Sequence, residues 1–403
     1  MQLKILVLGI GRQGSVVLWD LMERDDVTEI VAGDINFERT SQWVAKLKQI
    51  DSRAEKIEPM RIDVNNIDQL RNILNRGFDV VCDCLLWHYT TPVAKACIDS
   101  GVNHVDLYST DEIYELDKSA KDAGVTVVPS CGLDPGLDHV LQGYAARKLD
   151  EVEKLLLYCG AIPQKGTPAY NTPLRYRLTW TFAGVIDDLM TPATILKDGK
   201  EVKIVDKLSD PEIVIFPEPV GETEAWWVAE YPKELIQRLG LKDVKESWCK
   251  TVRWRGWCEA WRQLIDLHLV SDEPIKMKGI EISPREFLNE LGEKYLRYNF
   301  ETGDRDLVIE RIDVVGQKDG ADAQYSYLLI DFYDEKKGLT AVQRTTCFTN
   351  SIVCQMIGRG EIKEKGVVDA GLIGWNTENA KKLFSELKKK NIVFTESVTE
   401  PLG

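Results

Sequence analysis

Residues 4–14, KILVLGIGRQG, run an apolar segment straight into the pattern G-x-G-x-x-G, Gly9-Ile10-Gly11-Arg12-Gln13-Gly14. A strand that meets three glycines at this spacing and continues as a helix predicts a parallel βαβ unit whose turn closes on a pyrophosphate. Gly9 permits the tight turn, Gly11 lets the backbone approach the phosphates, and Gly14 lets helix and strand pack closely. Backbone N–H groups and the positive helix end, around Arg12 and Gln13, favour the anion. Asp34 closes the next apolar run, TEIVAGD, about 20 residues past the last glycine, where a carboxylate accepts hydrogen bonds from an adenosine ribose and repels a 2′-phosphate. The pattern implies a bound dinucleotide, with NAD expected over NADP.

From Leu3 to Val128, β-branched runs alternate with helical patterns, and about six strands fit. That rhythm predicts an α/β fold, a Rossmann doubly wound parallel sheet. Ligands sit at the carboxyl edge of such sheets. Asp63, after the third strand, is therefore a candidate near the adenine, with a helix N-cap as its alternative. Cys84 and Leu85, after the fourth, are expected beside the nicotinamide ribose. Beyond Glu151 the chain turns aromatic and alternating, in YRLTWTF, IVIF and YSYLLIDFY, with one helix around Arg285 to Tyr295. This predicts a second α+β, mixed-sheet domain over 136–344, with 1–135 and 345–403 forming the dinucleotide-binding domain. Trp226, Trp227, Trp248, Trp254, Trp257 and Trp261 crowd one stretch and are read as core or as a dimer face. Two helices are expected near the end, in SIVCQMIGRGEI and NAKKLFSELKKKNIVF.

An excess of 65 Asp+Glu over 51 Lys+Arg gives a formal charge of −14 in 403 residues, which argues against nucleic acid or an acidic membrane surface as partner. Nine scattered cysteines fit a reduced compartment. With no leader pattern and no long apolar run, a cytoplasmic protein is expected. The partners expected are a small amino-acid substrate and further copies of the chain.

Hydride chemistry needs a group for the accompanying proton and a clamp for the substrate. Asp106, Cys131 and His88 lie near predicted strand ends and are the catalytic candidates; capping, inert packing and surface packing are their respective alternatives. Asp134, in the GLDPG turn, is a candidate for substrate contact. Arg175, Arg253 and Arg344 are candidate carboxylate clamps of the second domain. None of the four histidines has metal-ligand spacing, and no metal is expected.

The segments KILVLGIGRQG, VAKACIDSGVNHVDL, CGLDPGLDHVL, GVIDDLMTPATILKDGK, KTVRWRG, DLVIERIDVVGQKDG and RTTCFTNSIVCQMIGRGEI resemble the saccharopine dehydrogenase-like superfamily over nearly the whole length. Within it, the lysine 6-dehydrogenase type is the most similar. The resemblance implies Gly9, Gly11, Gly14 and Asp34 at the dinucleotide, Asp106 and Cys131 along the reaction crevice, and Thr251 and Arg253 at the substrate. It implies NAD-dependent oxidation of the ε-amino carbon of L-lysine to allysine. The alternatives are an imine-reducing relative, of the saccharopine reductase or carboxynorspermidine synthase type, and a non-catalytic NAD-binding protein. WRGWCEAWRQL and LLWHYTTP depart from the pattern and bear on the substrate pocket.

Overall fold

The first apolar run forms strand β1 (Leu3–Leu8), buried throughout except at half-buried Lys4, as a central strand covered on both faces must be. It enters helix α1 (Gly14–Met22) through the glycine turn. The alternation continues through β2 (Val27–Asp34), α2 (Phe37–Ile50), β3 (Ile57–Arg61), α3 (Ile67–Leu74), β4 (Val80–Asp83), α4 (Trp87–Asp99), β5 (Asn103–Asp106), α5 (Asp117–Ala123), β6 (Thr126–Val128) and α6 (Leu137–Ala146). These strands are parallel, in the order β3-β2-β1-β4-β5-β6. The order reverses direction between β1 and β4, which is where a doubly wound sheet opens its ligand crevice. The computed structural model of the chain describes residues 2–400.

The second unit is built on a long strand, β7 (Glu151–Pro163), followed by α7 (Phe182–Met190), β8 (Ala193–Lys197), β9 (Lys200–Ile204), β10 (Glu212–Phe216), β11 (Gly221–Trp227), α8 (Lys233–Arg238), β12 (Glu246–Arg253), α9 (Trp257–Asp266), the hairpin β13 (Ile275–Met277) and β14 (Ile280–Ile282), α10 (Pro284–Tyr295), β15 (Asp306–Lys318) and β16 (Ala321–Phe332). Its main sheet is mixed: β12 runs parallel to β7, while β11 and β15 flank that pair antiparallel. Alternation separates the two faces of β12. Trp248 and Val252 pack with Tyr158, Ile162 and Ile309 in the apolar core. Cys249, Thr251 and Arg253 point to the other face, where β11 sets Trp226 opposite Thr251 and Glu224 opposite Arg253.

The chain then returns to the first unit with α11 (Ala341–Gly358), β17 (Gly366–Val367), α12 (Ala370–Trp375) and α13 (Thr377–Lys389). β17 joins β6 as a seventh parallel strand. The last strand, β18 (Thr395–Thr399), pairs antiparallel with β16 in the second sheet.

The compact units divide differently from the expected boundaries at 135/136 and 344/345. The first comprises 1–148, 237–240 and 343–393, the second 149–236, 241–342 and 394–403. α6 belongs to the first because its apolar face packs on α12, a partner more than 200 residues away that no local pattern signals. Arg238, just past the middle of the chain, donates to the Val367 carbonyl (2.9 Å) and stacks over Tyr114 (4.5 Å). Of the six crowded tryptophans only Trp227 escapes full burial, so they are core. Among the described residues, no helix is long and apolar enough to cross a membrane.

Candidate functional site

Gly9 adopts φ +82°, and a Cβ there would lie 2.9 Å from the Cys84 carbonyl, so this turn accepts only glycine. A Cβ on Gly14 would stand 2.0 Å from the Gly9 carbonyl, which is the close strand–helix approach the spacing predicts. Gly11 has open space around its Cβ position, and the α1 N-terminus carries no side-chain cap. An uncapped helix start beside an open glycine fits a pyrophosphate. Cys84 and Leu85 border the same turn.

Helix α11 braces this loop from behind. Gln343 Nε2 donates to the Arg12 carbonyl (3.1 Å), and the Cys347 thiol donates to Gln13 Oε1 (3.1 Å). The Cys82 thiol contacts Asn350 Oδ1 (2.6 Å), and Ser351 and Lys390 both engage Asp20 of α1. The brace was invisible to sequence spacing because its partners are 268 or more residues apart. Arg344 also lies on α11, in the first unit, where it donates to the Lys390 carbonyl (3.1 Å). It is therefore not the second-domain clamp expected from its position.

Asp34 ends β2 with its carboxylate already engaged. The Ile10 N–H donates to Oδ2 (2.8 Å), the Asn36 N–H to Oδ1 (2.7 Å), and Arg39 Nη2 to Oδ2 (3.0 Å). One acceptor position on Oδ1 remains for a ribose hydroxyl. Arg39 had no sequence signal, yet it sets a half-exposed guanidinium against the Asp34 carboxylate. Asp63 accepts from the Asn65 N–H (3.0 Å) within the loop after β3. Asn66, not Asp63, caps α3.

At the ends of β4 and β5 three fully buried groups meet. His104 Nε2 lies 3.3 Å from Asp83 Oδ2, and its Nδ1 lies 3.8 Å from Asp106 Oδ2. Asp106 Oδ1 accepts the Ser130 N–H (2.8 Å), which holds Ser130 at φ +51°. Burial pushes the Asp106 carboxyl up to about 7, against the pull of His104. Asp106 is wholly buried and holds the Ser130–Cys131 turn through Oδ1, while its Oδ2 accepts no hydrogen bond from the described residues. Cys131 is likewise buried, with its thiol pushed far up by burial and then by Asp106, which suits packing and not nucleophilic attack. His88 is exposed in the first turn of α4, packed between Trp87 and Tyr89. It is not drawn into this cluster.

The GLDPG turn exposes Asp134, and the residues after it build an ionic knot. His139 lies 3.4 Å from Asp369 Oδ1, and the Tyr114 hydroxyl donates to Asp369 Oδ2 (2.7 Å). Burial works against the imidazolium, but Asp138, Asp369 and Asp134 outweigh it and push His139 up to about 10. This knot fastens α6 to the start of α12.

In the second unit the outward face of β12 carries a separate cluster. Arg253 is buried, stacked over Tyr176 (5.4 Å) and Trp257 (5.5 Å), and donates from Nη1 to its neighbour's carbonyl at Val252 (2.8 Å). Its cross-strand partner Glu224 is spent on the start of α9, accepting the N–H groups of Gly256 (3.0 Å) and Cys258 (2.7 Å). Buried donors without a protein acceptor gather here: Arg253 Nε, Trp226 Nε1, Trp257 Nε1, Trp261 Nε1 and the Tyr298 hydroxyl. Orphaned buried donors are costly, and an aromatic shell lined with them suits an anionic ligand. Thr251 is half-buried on the same face. Arg175 is exposed, over Tyr170 at 5.2 Å, outside the cluster. Among the described residues, no group of three or more His, Cys, Asp or Glu could hold a metal.

Glycine turn, strand order and switch point define a dinucleotide-binding protein of the Rossmann class with a separate mixed-sheet unit. Residues 5–128 match the saccharopine dehydrogenase NADP binding domain, and residues 132–393 match the saccharopine dehydrogenase C-terminal domain. The chain belongs to the saccharopine dehydrogenase family. It is 25% identical over 460 residues to the mitochondrial alpha-aminoadipic semialdehyde synthase of Bos taurus, covering 98% of this chain and 48% of that protein. It is 32% identical over 281 residues to the saccharopine dehydrogenase (NADP(+), L-glutamate-forming) of Schizosaccharomyces pombe, covering 66% and 58%. The chain thus spans about half the length of these relatives. The apo saccharopine dehydrogenase (L-Glu forming) of Saccharomyces cerevisiae has the same fold, with a TM-score of 0.82 at 20% identity, covering 99% of this chain and all of that one.

Proposed function

We propose that the chain is an NAD-linked oxidoreductase acting on a C–N bond of an amino acid, and that its substrate is L-lysine, oxidised at the ε-amino carbon. The imine formed is hydrolysed to allysine and ammonia. The observation that carries this reading is the charge inventory of the second unit. Among its described residues the buried cations are Arg253, Lys207 and Lys250; Lys207 is held by the Asp188 and Thr191 carbonyls and Lys250 by Glu212, which leaves Arg253 as the buried cation with neither a carboxylate partner nor a pair of carbonyls around it. One guanidinium takes one carboxylate. Lysine carries one, whereas saccharopine carries three and would need further cations. The nicotinamide, when bound, supplies the hydride acceptor. This chain's part is to seat the pyrophosphate on the α1 N-terminus, the ribose on Asp34 and the carboxylate on Arg253.

A second reading, imine reduction with NADPH, is favoured by Arg39, which stands ready for a 2′-phosphate beside Asp34. It also agrees with the relatives of this chain, among them the carboxyaminopropylagmatine dehydrogenase of Synechocystis. Purified protein incubated with NAD and L-lysine separates the two by absorbance of the reduced cofactor. Reduced cofactor forming with lysine is the expected result. No signal there, with consumption of NADPH by an aldehyde plus an amino acid, would replace the first reading by the second.

A further inference from the structure

Arg253 has an unclaimed counterpart on α7. Asp188, near the C-terminus of that helix, is half-buried, and it forms no hydrogen bond or ion pair through its carboxylate among the described residues. Its neighbour in sequence, Asp187, is used up by Arg285. The charges that face Asp188 are those of Arg253 and Lys207, with Asp187 beyond. Arg253 is too far for an ion pair and is itself unpaired. Lys207 is also diverted: its ammonium is buried against the backbone carbonyls of Asp188 and Thr191 and lies over the Trp226 ring at 5.4 Å. A cation on the last carbonyls of a helix is favourable. Lys207 therefore fastens the end of α7 by its carbonyls and acts on the Asp188 carboxylate through space, without an ion pair to it.

One face of the second unit thus holds a buried cation and a half-buried anion, neither in an ion pair among the described residues, with aromatic walls between them. Tyr176 links the two, since it stacks on Arg253 and senses the Asp188 charge. Unpaired charges in such surroundings are costly unless a ligand completes them. A ligand that carries a carboxylate and an ammonium on one carbon offers both complements at once. A simple carboxylic acid would leave Asp188 unanswered, and a diamine would leave Arg253 unanswered.

We propose that Asp188 binds the α-ammonium of the substrate while Arg253 binds its α-carboxylate, so that the second unit selects an α-amino acid head group. The proposal rests on the reading of this unit as the amino-acid site and goes further by assigning the ammonium. Asp188 does no chemistry in this arrangement; it recognises the end of the molecule remote from the reacting carbon. Burial raises the Asp188 carboxyl to about 6, against Arg253 and Lys207, which leaves it ionised at neutral pH and able to pair with an ammonium.

The test compares L-lysine with 6-aminohexanoate, which lacks only the α-amino group, by calorimetric titration of the whole protein and by turnover with NAD. Wild type should prefer lysine by at least about tenfold, because a site built around a polar group rejects the analogue that lacks it. Asp188→Asn should erase that preference by weakening lysine alone, and Asp188→Glu should restore part of it. An unchanged preference in Asp188→Asn would overturn the assignment. Equal weakening of both compounds would overturn it too, by pointing to the reacting amine or to the fold. If lysine yields no reduced cofactor but saccharopine binds with an affinity that depends on Asp188, the head-group site stands and the lysine reading falls. Failure of lysine, saccharopine and glutamate alike to bind wild type would sink the site itself.

Discussion

Replacing Asp106 with asparagine keeps the outline of the side chain and removes its charge from the interior. The asparagine carbonyl can still accept the Ser130 N–H, and its amide can donate to His104 Nδ1, which faces Asp106 Oδ2 at 3.8 Å. The effect on stability follows from the raised carboxyl, 3.8 in the unfolded chain and about 7 when folded. A carboxyl raised by folding contributes nothing adverse while both states are protonated. Between the two values the folded state binds the extra proton, so stability falls as pH rises, and the loss is complete above about 7. From pH 5 to pH 8 this amounts to about 2 to 3 kcal/mol for wild type and nothing for Asp106→Asn. For a unit of about 200 residues that corresponds to roughly 5–10 °C in Tm. Thermal unfolding by circular dichroism at pH 5, 6.5 and 8 reads the difference. The variant's Tm should gain on wild type steadily with pH. Parallel curves, with a constant offset or none, would show that Asp106 is not the buried acid described above.

Three further outcomes are expected. Arg39→Ala should weaken NADP by about tenfold and leave NAD within about twofold, while Asp34→Ala should weaken NAD more than NADP; fluorescence titration with both reduced cofactors measures the ratio, and equal changes would refute the pairing. Gly14→Ala forces a methyl to 2.0 Å from the Gly9 carbonyl and should abolish cofactor binding or cost several kcal/mol of stability, roughly 3 or more; calorimetric titration and chemical denaturation would find either loss, and normal values in both would contradict the close approach. Arg253→Ala should lower kcat/KM for the amino acid by about a hundredfold or more, with NAD affinity intact; steady-state kinetics with each substrate varied would show an unselective loss if the arginine only supports the fold.

The cofactor half was legible because its signals are local. Gly9, Gly11, Gly14 and Asp34 lie within one βαβ segment, and their spacing fixes their geometry. His104 was hidden in an apolar strand, since a period-2 pattern reports a buried face and not what a buried ring touches. Arg39 and Lys207 carried no motif, being one cation among many until the fold sets them beside Asp34 and Asp188. Asp188 stood inside the GVIDDLM segment that carried the family likeness, but only the diversion of Asp187 and Lys207 to other partners shows its carboxylate left over. Arg344 was misassigned for the opposite reason: position along the chain suggested the second domain, and the helix that bears it returns to the first.

That return has a consequence for how the chain can be made. β17 closes the edge of the parallel sheet against β6, and β18 closes the mixed sheet against β16, so each sheet waits for residues beyond 365. α11, which braces the glycine turn, is also synthesised late. During translation, when N-terminal segments otherwise fold first, the loop of Gly9 emerges hundreds of residues before its brace and the open edge of β6 stays unpaired. A nascent chain halted near residue 340 would therefore expose strand edges in both units. Those edges, and not the finished surface, are where a chaperone would have most to cover.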